Sequence, residues 1–423
     1  MKVTIVPTAN LSGEIAAPPS KAQTHRTLVA GLLSEGTTTI ANPLSCDDTE
    51  ATANAVSALG ARLSRMEHTW RILGTGRPRT PASEINCGKS GVTLRFMVPI
   101  VSLVRGRSTI VGEEALMRRP LAPLADAMRQ LGVKMTVERN AVQVEGGPPK
   151  GGAVRIRGDV SSQFISGLLL AGPSLEIGLR LEIIPPLESR SYVSLTTETM
   201  QRHSIKVQAN SEMSRFEIAP GQRYLPAEHV IAGDFSSAAF PVSAAAITNS
   251  KVFVHGLSRT SQEPDAVLPS ILSQMGVRIR FQEDGVLVDG GELKATSIDL
   301  RECPDLGPVA AVLGCYAEGE TRISGAVRLR YKETDRLAAM ASELGSLGAD
   351  IIERKDGWIV RGPSSLTGGE VRSHGDHRIA MALSVAALGA NSEITIVDAE
   401  CISKSYPNFF EDLRSLGVDV IGL

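Results

Sequence analysis

The chain has 423 residues, 42% of them hydrophobic, which is too long for one ordinary core and apolar enough to fill two domains of about 200 residues. Its 44 Lys and Arg against 46 Asp and Glu leave a net charge of −2, and aromatic residues make up only 4%. This balance excludes nucleic-acid or membrane binding through bulk charge and a row of base-stacking platforms, so function has to come from local clusters.

Met1–Asn10 reads as a strand and its flank, not as a charged and then apolar leader. Lys2–Val6 and Ser12–Ala16 are expected to be strands that complete the last structural unit of the chain. Past Pro18-Pro19, the cluster Ser20-Lys21 with Arg26 opens an apolar helix, and the strand Thr37–Ala41 follows. An amphipathic segment then ends at Ala58-Leu59-Gly60-Ala61. The same arrangement returns with Lys89-Ser90-Gly91 and Arg95, the strand Ser108–Val111, and the segment end Gln130-Leu131-Gly132-Val133. A third copy has Ser161-Ser162-Gln163, the buried helix Ser161–Ala171, the strand Leu179–Ile184, and His203-Ser204-Ile205. Further on come helix Phe235–Ile247 after Asp234, helix Pro308–Ala317 after Asp305, and helix His377–Leu388 after Asp376, with strands at Lys251–His255, Thr321–Ile323 and Glu393–Val397.

The segment ends at 60, 132, 204, 276, 348 and 417 are spaced by 72 residues four times and then by 69. Five of the six are Gly, which suits a left-handed helix cap that reverses the chain; Ser204 predicts a weaker cap. Hairpins follow most caps, at Val133–Glu138 with Ala141–Glu145, Val277–Phe281 with Val286–Asp289, and Ala349–Glu353 with Trp358–Arg361. The repeating unit is a buried helix, a strand, a surface helix, a capping Gly and a hairpin, six times over. The arithmetic predicts an α/β chain of two three-unit domains: residues 18–228, and a discontinuous domain of 1–17 with 229–423. Solenoid units are usually shorter, about 20–50 residues.

Each buried helix begins just after a polar cluster, so helix N-termini with their free N–H groups would gather on one face of each domain and attract anions. Taken singly, Ser161-Ser162 and Asp234 also read as plain N-caps, Arg118-Arg119 as a solvated pair before a helix starting at Pro120, and Lys332–Arg336 as an exposed helix start. The recurrence of these clusters at equivalent ends of the repeats favours the functional reading. Gly88-Lys89-Ser90 lacks the earlier Gly of a phosphate-cradling loop, since position 83 is Ser. The five Cys show no Cys-x-x-Cys spacing and the seven His no His-Glu-x-x-His pattern, so neither metal nor organic cofactor is expected. With no apolar run near 18 residues, a cytoplasmic protein is expected.

The ordered set Pro18-Pro19-Ser20-Lys21, Cys87–Arg95, Arg119-Pro120, Ser161-Ser162-Gln163-Phe164, Tyr331–Arg336, Gly375–Arg378 and Lys404-Ser405-Tyr406-Pro407 resembles the 5-enolpyruvylshikimate-3-phosphate synthase family along essentially the whole chain. The resemblance implies a two-domain inverse αβ barrel with three βαβαββ-type units per domain and an active site in the cleft between them. It also implies transfer of the enolpyruvyl group of phosphoenolpyruvate to the 5-hydroxyl of shikimate 3-phosphate by addition–elimination. Both substrates carry a phosphate and a carboxylate, which explains the demand for forked Arg and compact Lys charges.

By the same resemblance, Lys21, Gly91, Arg119, Gln163, Arg336, Arg378 and Lys404 would meet phosphoenolpyruvate. Lys21, Ala22, Arg26, Ser161, Ser162, Gln163, Ser189, Asp305 and Lys332 would meet shikimate 3-phosphate, with Tyr192 as an addition. Asp305 would serve as base for the hydroxyl, and Glu333 with Lys21 and Lys404 would handle the methylene proton. Small-molecule substrates and a monomer are expected, without nucleic acid or membrane. Ala22 stands where the family usually has Ser, Lys89 replaces a polar residue, Val92 sits where Thr is common, and Arg190-Ser191 interrupts a Ser-Lys-Pro-Tyr-like run. Two alternatives remain at this stage. One is UDP-N-acetylglucosamine enolpyruvyl transferase, disfavoured because the loop Glu113–Pro120 lacks that family's Cys. The other is a non-catalytic anion-binding relative.

Overall fold

In a computed structural model, which describes residues 1–422, the chain divides into two compact units. One contains Pro19–Ile231; the other contains Met1–Pro18 and the chain from Ala232 onward. Each has its own hydrophobic core.

The structure contains six four-stranded sheets, three in each unit, and all six share one pairing scheme. The first strand lies parallel to the second, the second antiparallel to the third, and the third antiparallel to the fourth. In the sheet of the second repeat these are Ile85–Asn86, Gly106–Val111, Ala141–Gly146 and Lys134–Val137. In that of the fifth they are Ser297–Asp299, Gly319–Ser324, Gly357–Gly362 and Asp350–Arg354.

The chain ends are used differently from the sequence expectation. Lys2–Ile5 does enter the sixth sheet, between Ile394–Val397 and Val420–Ile421. Ser12–Ala16 instead pairs in parallel with Lys251–His255 in the fourth. The N-terminal segment therefore closes two sheets with one strand each. Likewise Glu228–Val230 lies parallel to Glu35–Ala41 in the first sheet, so the chain leaves that unit only after Ile231.

The interior helices are Lys21–Leu33, Gly91–Val101, Ser162–Ala171, Phe235–Ile247, Gly307–Tyr316 and His377–Leu388. Every residue of His377–Leu388 is buried, as is every residue of Phe235–Ile247 except the last. At about 1.5–3 kcal/mol for each large apolar side chain removed from water, these helices anchor their units. Small residues permit close packing: a Cβ at Gly167 would lie 2.8 Å from the Arg95 carbonyl oxygen on the neighbouring helix. The repeat-ending caps take the expected left-handed backbone, with φ of 105° at Gly60 and 94° at Gly348. Ser204 adopts φ 67° without the freedom of Gly, at a cost of roughly 1 kcal/mol. The helix expected from Pro120 begins at Ala122 instead, with Pro123 at its second position, where a missing N–H costs nothing.

Candidate active site

In the unit Pro19–Ile231, the sequence-predicted residues sit at or beside helix starts and are linked by contacts. Ser20 caps helix Lys21–Leu33, its Oγ accepting from Gln23 N. Lys21, the first residue of that helix, extends Nζ to Asp48 Oδ2 at 3.0 Å. Asp48 lies in the first turn of helix Asp47–Ala58, and its carbonyl accepts from Thr93 Oγ1 at 3.4 Å. Thr93 Oγ1 in turn donates to Ser90 Oγ at 2.7 Å, and Ser90 caps helix Gly91–Val101.

Two guanidinium groups converge at that helix start. A Cβ at Gly91 would lie 3.1 Å from an Arg119 terminal nitrogen and 3.4 Å from one of Arg95, so the absent side chain is what admits them. Arg95 donates to Gln163 Oε1 at 2.6 Å and lies over the Phe164 ring. Ser161 caps helix Ser162–Ala171, its Oγ accepting from Gln163 N, so the plain capping reading and the site reading hold together for this residue.

Arg26 is buried. Its guanidinium donates to the Ala22 carbonyl (2.8 Å), Thr196 Oγ1 (2.8 Å) and the Tyr192 carbonyl (3.0 Å), and it lies between the rings of Phe96 and Tyr192. Ala22 thus contributes backbone, as its missing hydroxyl suggested. Ser189, in a left-handed conformation at φ 54°, precedes helix Arg190–Arg202, which carries Tyr192. Four cations, Lys21, Arg26, Arg95 and Arg119, stand in this group with Asp48.

In the other unit, Asp305 lies on the turn Pro304–Leu306 just ahead of helix Gly307–Tyr316. Its carboxylate meets Arg336 at 3.0 Å, Lys332 Nζ at 3.2 Å and Arg378 at 3.4 Å. Arg336 opens helix Arg336–Ser346, which Asp335 caps through Leu337 N and Ala338 N. The Arg336 guanidinium is 1% exposed and also holds Glu333 (2.8 Å) and Asp376 (2.7 and 3.2 Å). Lys404 Nζ stands 3.6 Å from the second oxygen of Glu333. Arg378 further donates to the carbonyls of Ser236 and Asp305, each at 3.4 Å. Asp376 caps helix His377–Leu388 through Arg378 N. Asp234 plays the same part for helix Phe235–Ile247 through Ser236 N.

The charges shape one another. Burial works against the ionised form of Asp305, yet Arg378, Lys332 and Arg336 together hold its carboxyl well below the usual carboxylate range. Burial, outweighing the attraction of Asp305, brings the Lys332 ammonium down to about 8. Arg336 stays firmly charged: Asp376, Glu333 and Asp305 more than offset its desolvation. Four cations thus face Asp305, Glu333 and Asp376, an arrangement able to take up further negative charge and to move a proton near neutral pH.

The structure therefore groups the predicted residues into one constellation in each unit. It adds three that sequence reasoning gave no role. Asp48 is part of an acidic helix start that reads as dipole complementation. Arg95 was a member of a polar cluster without a task. Asp376 read as a cap, and nothing local announces that it also holds Arg336. Among the described residues no group of three or more His, Cys, Asp or Glu could hold a metal ion, and no helix is long and apolar enough to cross a membrane.

Comparison with known proteins gives one answer. Residues 5–413 match the family EPSP synthase (3-phosphoshikimate 1-carboxyvinyltransferase). A protein named 3-phosphoshikimate 1-carboxyvinyltransferase from Methanocorpusculum labreanum is 40% identical over 419 residues, covering 98% of this chain and 99% of the relative. One of the same name from Methanothermobacter thermautotrophicus is 40% identical over 426 residues, covering 99% of each. Among solved structures, EPSP synthase from Acinetobacter baumannii aligns with a TM-score of 0.83 at 27% identity over 100% of both chains. The enolpyruvyl transferase NikO from Streptomyces tendae, 20% identical with a TM-score of 0.81 over 99% and 98%, shares the fold. The fold is the inverse αβ barrel, and the chain belongs to the EPSP synthase family.

Proposed function

We propose that the protein transfers the enolpyruvyl group of phosphoenolpyruvate to the 5-hydroxyl of shikimate 3-phosphate, releasing phosphate and 5-enolpyruvylshikimate 3-phosphate, a step toward aromatic amino acids. The observation that carries the reading is the cation-rich cluster of Lys332, Arg336, Arg378 and Lys404 around Asp305 and Glu333, in a chain matched end to end by this family.

Lys21, Gly91, Arg119, Gln163, Arg336, Arg378 and Lys404 hold phosphoenolpyruvate, and Arg95 supports Gln163. Lys21, Ala22, Arg26, Ser161, Ser162, Gln163, Ser189, Asp305 and Lys332 hold shikimate 3-phosphate, with Tyr192. The bound phosphates and carboxylates draw on the same cations that hold Asp305 ionised. Its carboxyl then becomes more basic and accepts the proton of the 5-hydroxyl as that oxygen attacks C2 of phosphoenolpyruvate. C3 gains a proton from the Glu333, Lys21 and Lys404 group, giving a tetrahedral ketal. Return of a C3 proton to this group expels phosphate and forms the enol ether. All charge development occurs on oxygens held by fixed cations, where preorganised stabilisation is most effective.

The proposal extends to a cytoplasmic monomer that acts on small molecules, not on nucleic acid, in keeping with the balanced charge. Proton NMR of a reaction with both substrates tests it. New vinyl resonances of an enol ether on the shikimate ring are expected, and their absence despite consumption of phosphoenolpyruvate would overturn the assignment.

A further inference from the structure

Beside the Asp305 cluster lies a carboxyl group that neither the sequence reading nor the proposed chemistry uses. Asp265, on the turn Pro264–Val267, is completely buried. Its Oδ2 accepts from Ser236 Oγ, while its Oδ1 has no hydrogen-bond partner among the described residues. Ser236 also offers its carbonyl to Arg378, so one residue touches both the carboxyl and the guanidinium. Around Asp265 stand Asp234 at the start of helix Phe235–Ile247, Glu263 two residues upstream, Cys303 and Asp305 on the turn ahead of helix Gly307–Tyr316, and Arg378. Helix Leu268–Gln274, which follows the turn, carries no charge.

A buried carboxylate with one oxygen unsatisfied is a poor resting state unless a cation compensates it or a proton neutralises it. The cation within reach is Arg378, which already attends Asp305. Burial foremost, and then Asp305, push the Asp265 carboxyl up to about 7, against the pull of Arg378 and Ser236. The group therefore changes charge in the range where the proposed enzyme works.

We infer that Asp265 is a positioning residue for Arg378: uncharged, it leaves the guanidinium's attraction to a bound anion, and ionised, it takes a share of that attraction for itself. The inference rests on the proposed role of Arg378 toward phosphoenolpyruvate, and it makes the affinity for that anion dependent on pH through a residue that does not touch it. If anion binding shifts the Asp265 equilibrium by one unit, affinity changes about tenfold across the transition.

The test is KM for phosphoenolpyruvate from pH 6 to 8.5 in the full-length wild type, Asp265→Asn and Ser236→Ala, with melting temperatures alongside. The ratio of wild-type to Asp265→Asn KM is expected to rise about tenfold over this range, with the kcat ratio level. Parallel pH profiles for the two proteins would overturn the inference, because a purely structural role lowers stability without changing the slope. Should Asp265→Asn fail to fold, Ser236→Ala decides. Loss of its hydrogen bond is expected to move the inflection to higher pH, and an unmoved inflection counts against the inference. Calorimetric titration with inorganic phosphate across the same pH range keeps the inference separate from the activity. If the wild type shows no turnover, the proposed function fails, while a pH-dependent phosphate affinity that Asp265→Asn flattens still supports the coupling.

Discussion

Asp376 is the residue whose removal most sharply separates an assembled site from a collection of surface charges. Its two carboxylate oxygens hold Arg336 at 2.7 and 3.2 Å, and both partners are buried. Removing one member of a buried ion pair costs roughly 3–5 kcal/mol, because the other is left desolvated. Arg336 retains Asp305 and Glu333, so Asp376→Asn is expected near the low end, about 3 kcal/mol. Asn remains a good helix cap. Asp376→Ala loses that function as well, adding about 1 kcal/mol. For a unit of this size, each kcal/mol moves the melting temperature by about 2–4 °C, so the Asn variant should melt roughly 6–12 °C lower. With its fork partner gone, Arg336 loses its fixed direction, and KM for phosphoenolpyruvate should rise at least about tenfold. Differential scanning calorimetry and steady-state kinetics on the two variants are the assays. A shift of less than about 2 °C together with an unchanged KM would refute the claim that Asp376 holds Arg336 in place.

Other substitutions test separate links. Asp305→Ala should abolish turnover while leaving both ligands able to bind, read by phosphate release and by calorimetry; an unchanged rate would remove Asp305 from the mechanism. Gly91→Ala puts a methyl group 3.1 Å from the Arg119 guanidinium, so KM for phosphoenolpyruvate should rise several-fold with little loss of stability. An unchanged KM would show that Arg119 does not need that space. Acid stability should depend on a buried imidazole pair. His203 Nδ1–H donates to the Leu225 carbonyl at 2.7 Å, so its Nε2 accepts from His229 Nε2–H at 2.9 Å, and burial lowers both to about 4. The folded chain keeps these rings neutral while the unfolded chain binds protons below pH 6.5, so stability should be full above that pH and fall as pH drops toward 4. Urea unfolding of His229→Gln should show a shallower fall; an equal slope would acquit the pair.

Much of the architecture was readable because it is local and repeated. A capping Gly followed by a two-strand pattern specifies a hairpin within about 15 residues, and six recurrences make the unit visible. Even the exception, Ser204, keeps the left-handed backbone. Strand pairing between distant segments left no such mark. Ser12–Ala16 and Lys2–Ile5 look alike as short alternating runs, and only the packed fold sends one to the fourth sheet and the other to the sixth. The site divides the same way. Lys21, Arg119 and Arg336 stand in recognisable runs at helix starts. The acids that hold or tune the cations, Asp48, Asp265 and Asp376, sit in ordinary-looking turns and first turns of helices. Their roles arise from contacts across 27 residues for Lys21–Asp48 and 40 for Arg336–Asp376.

The most direct test of the whole account is phosphate release from phosphoenolpyruvate, measured with the purified protein alone, with shikimate 3-phosphate, and with UDP-N-acetylglucosamine. Release is expected only with shikimate 3-phosphate, one phosphate for each acceptor consumed. Release driven by the nucleotide sugar, or none with shikimate 3-phosphate despite binding of both ligands, would contradict it.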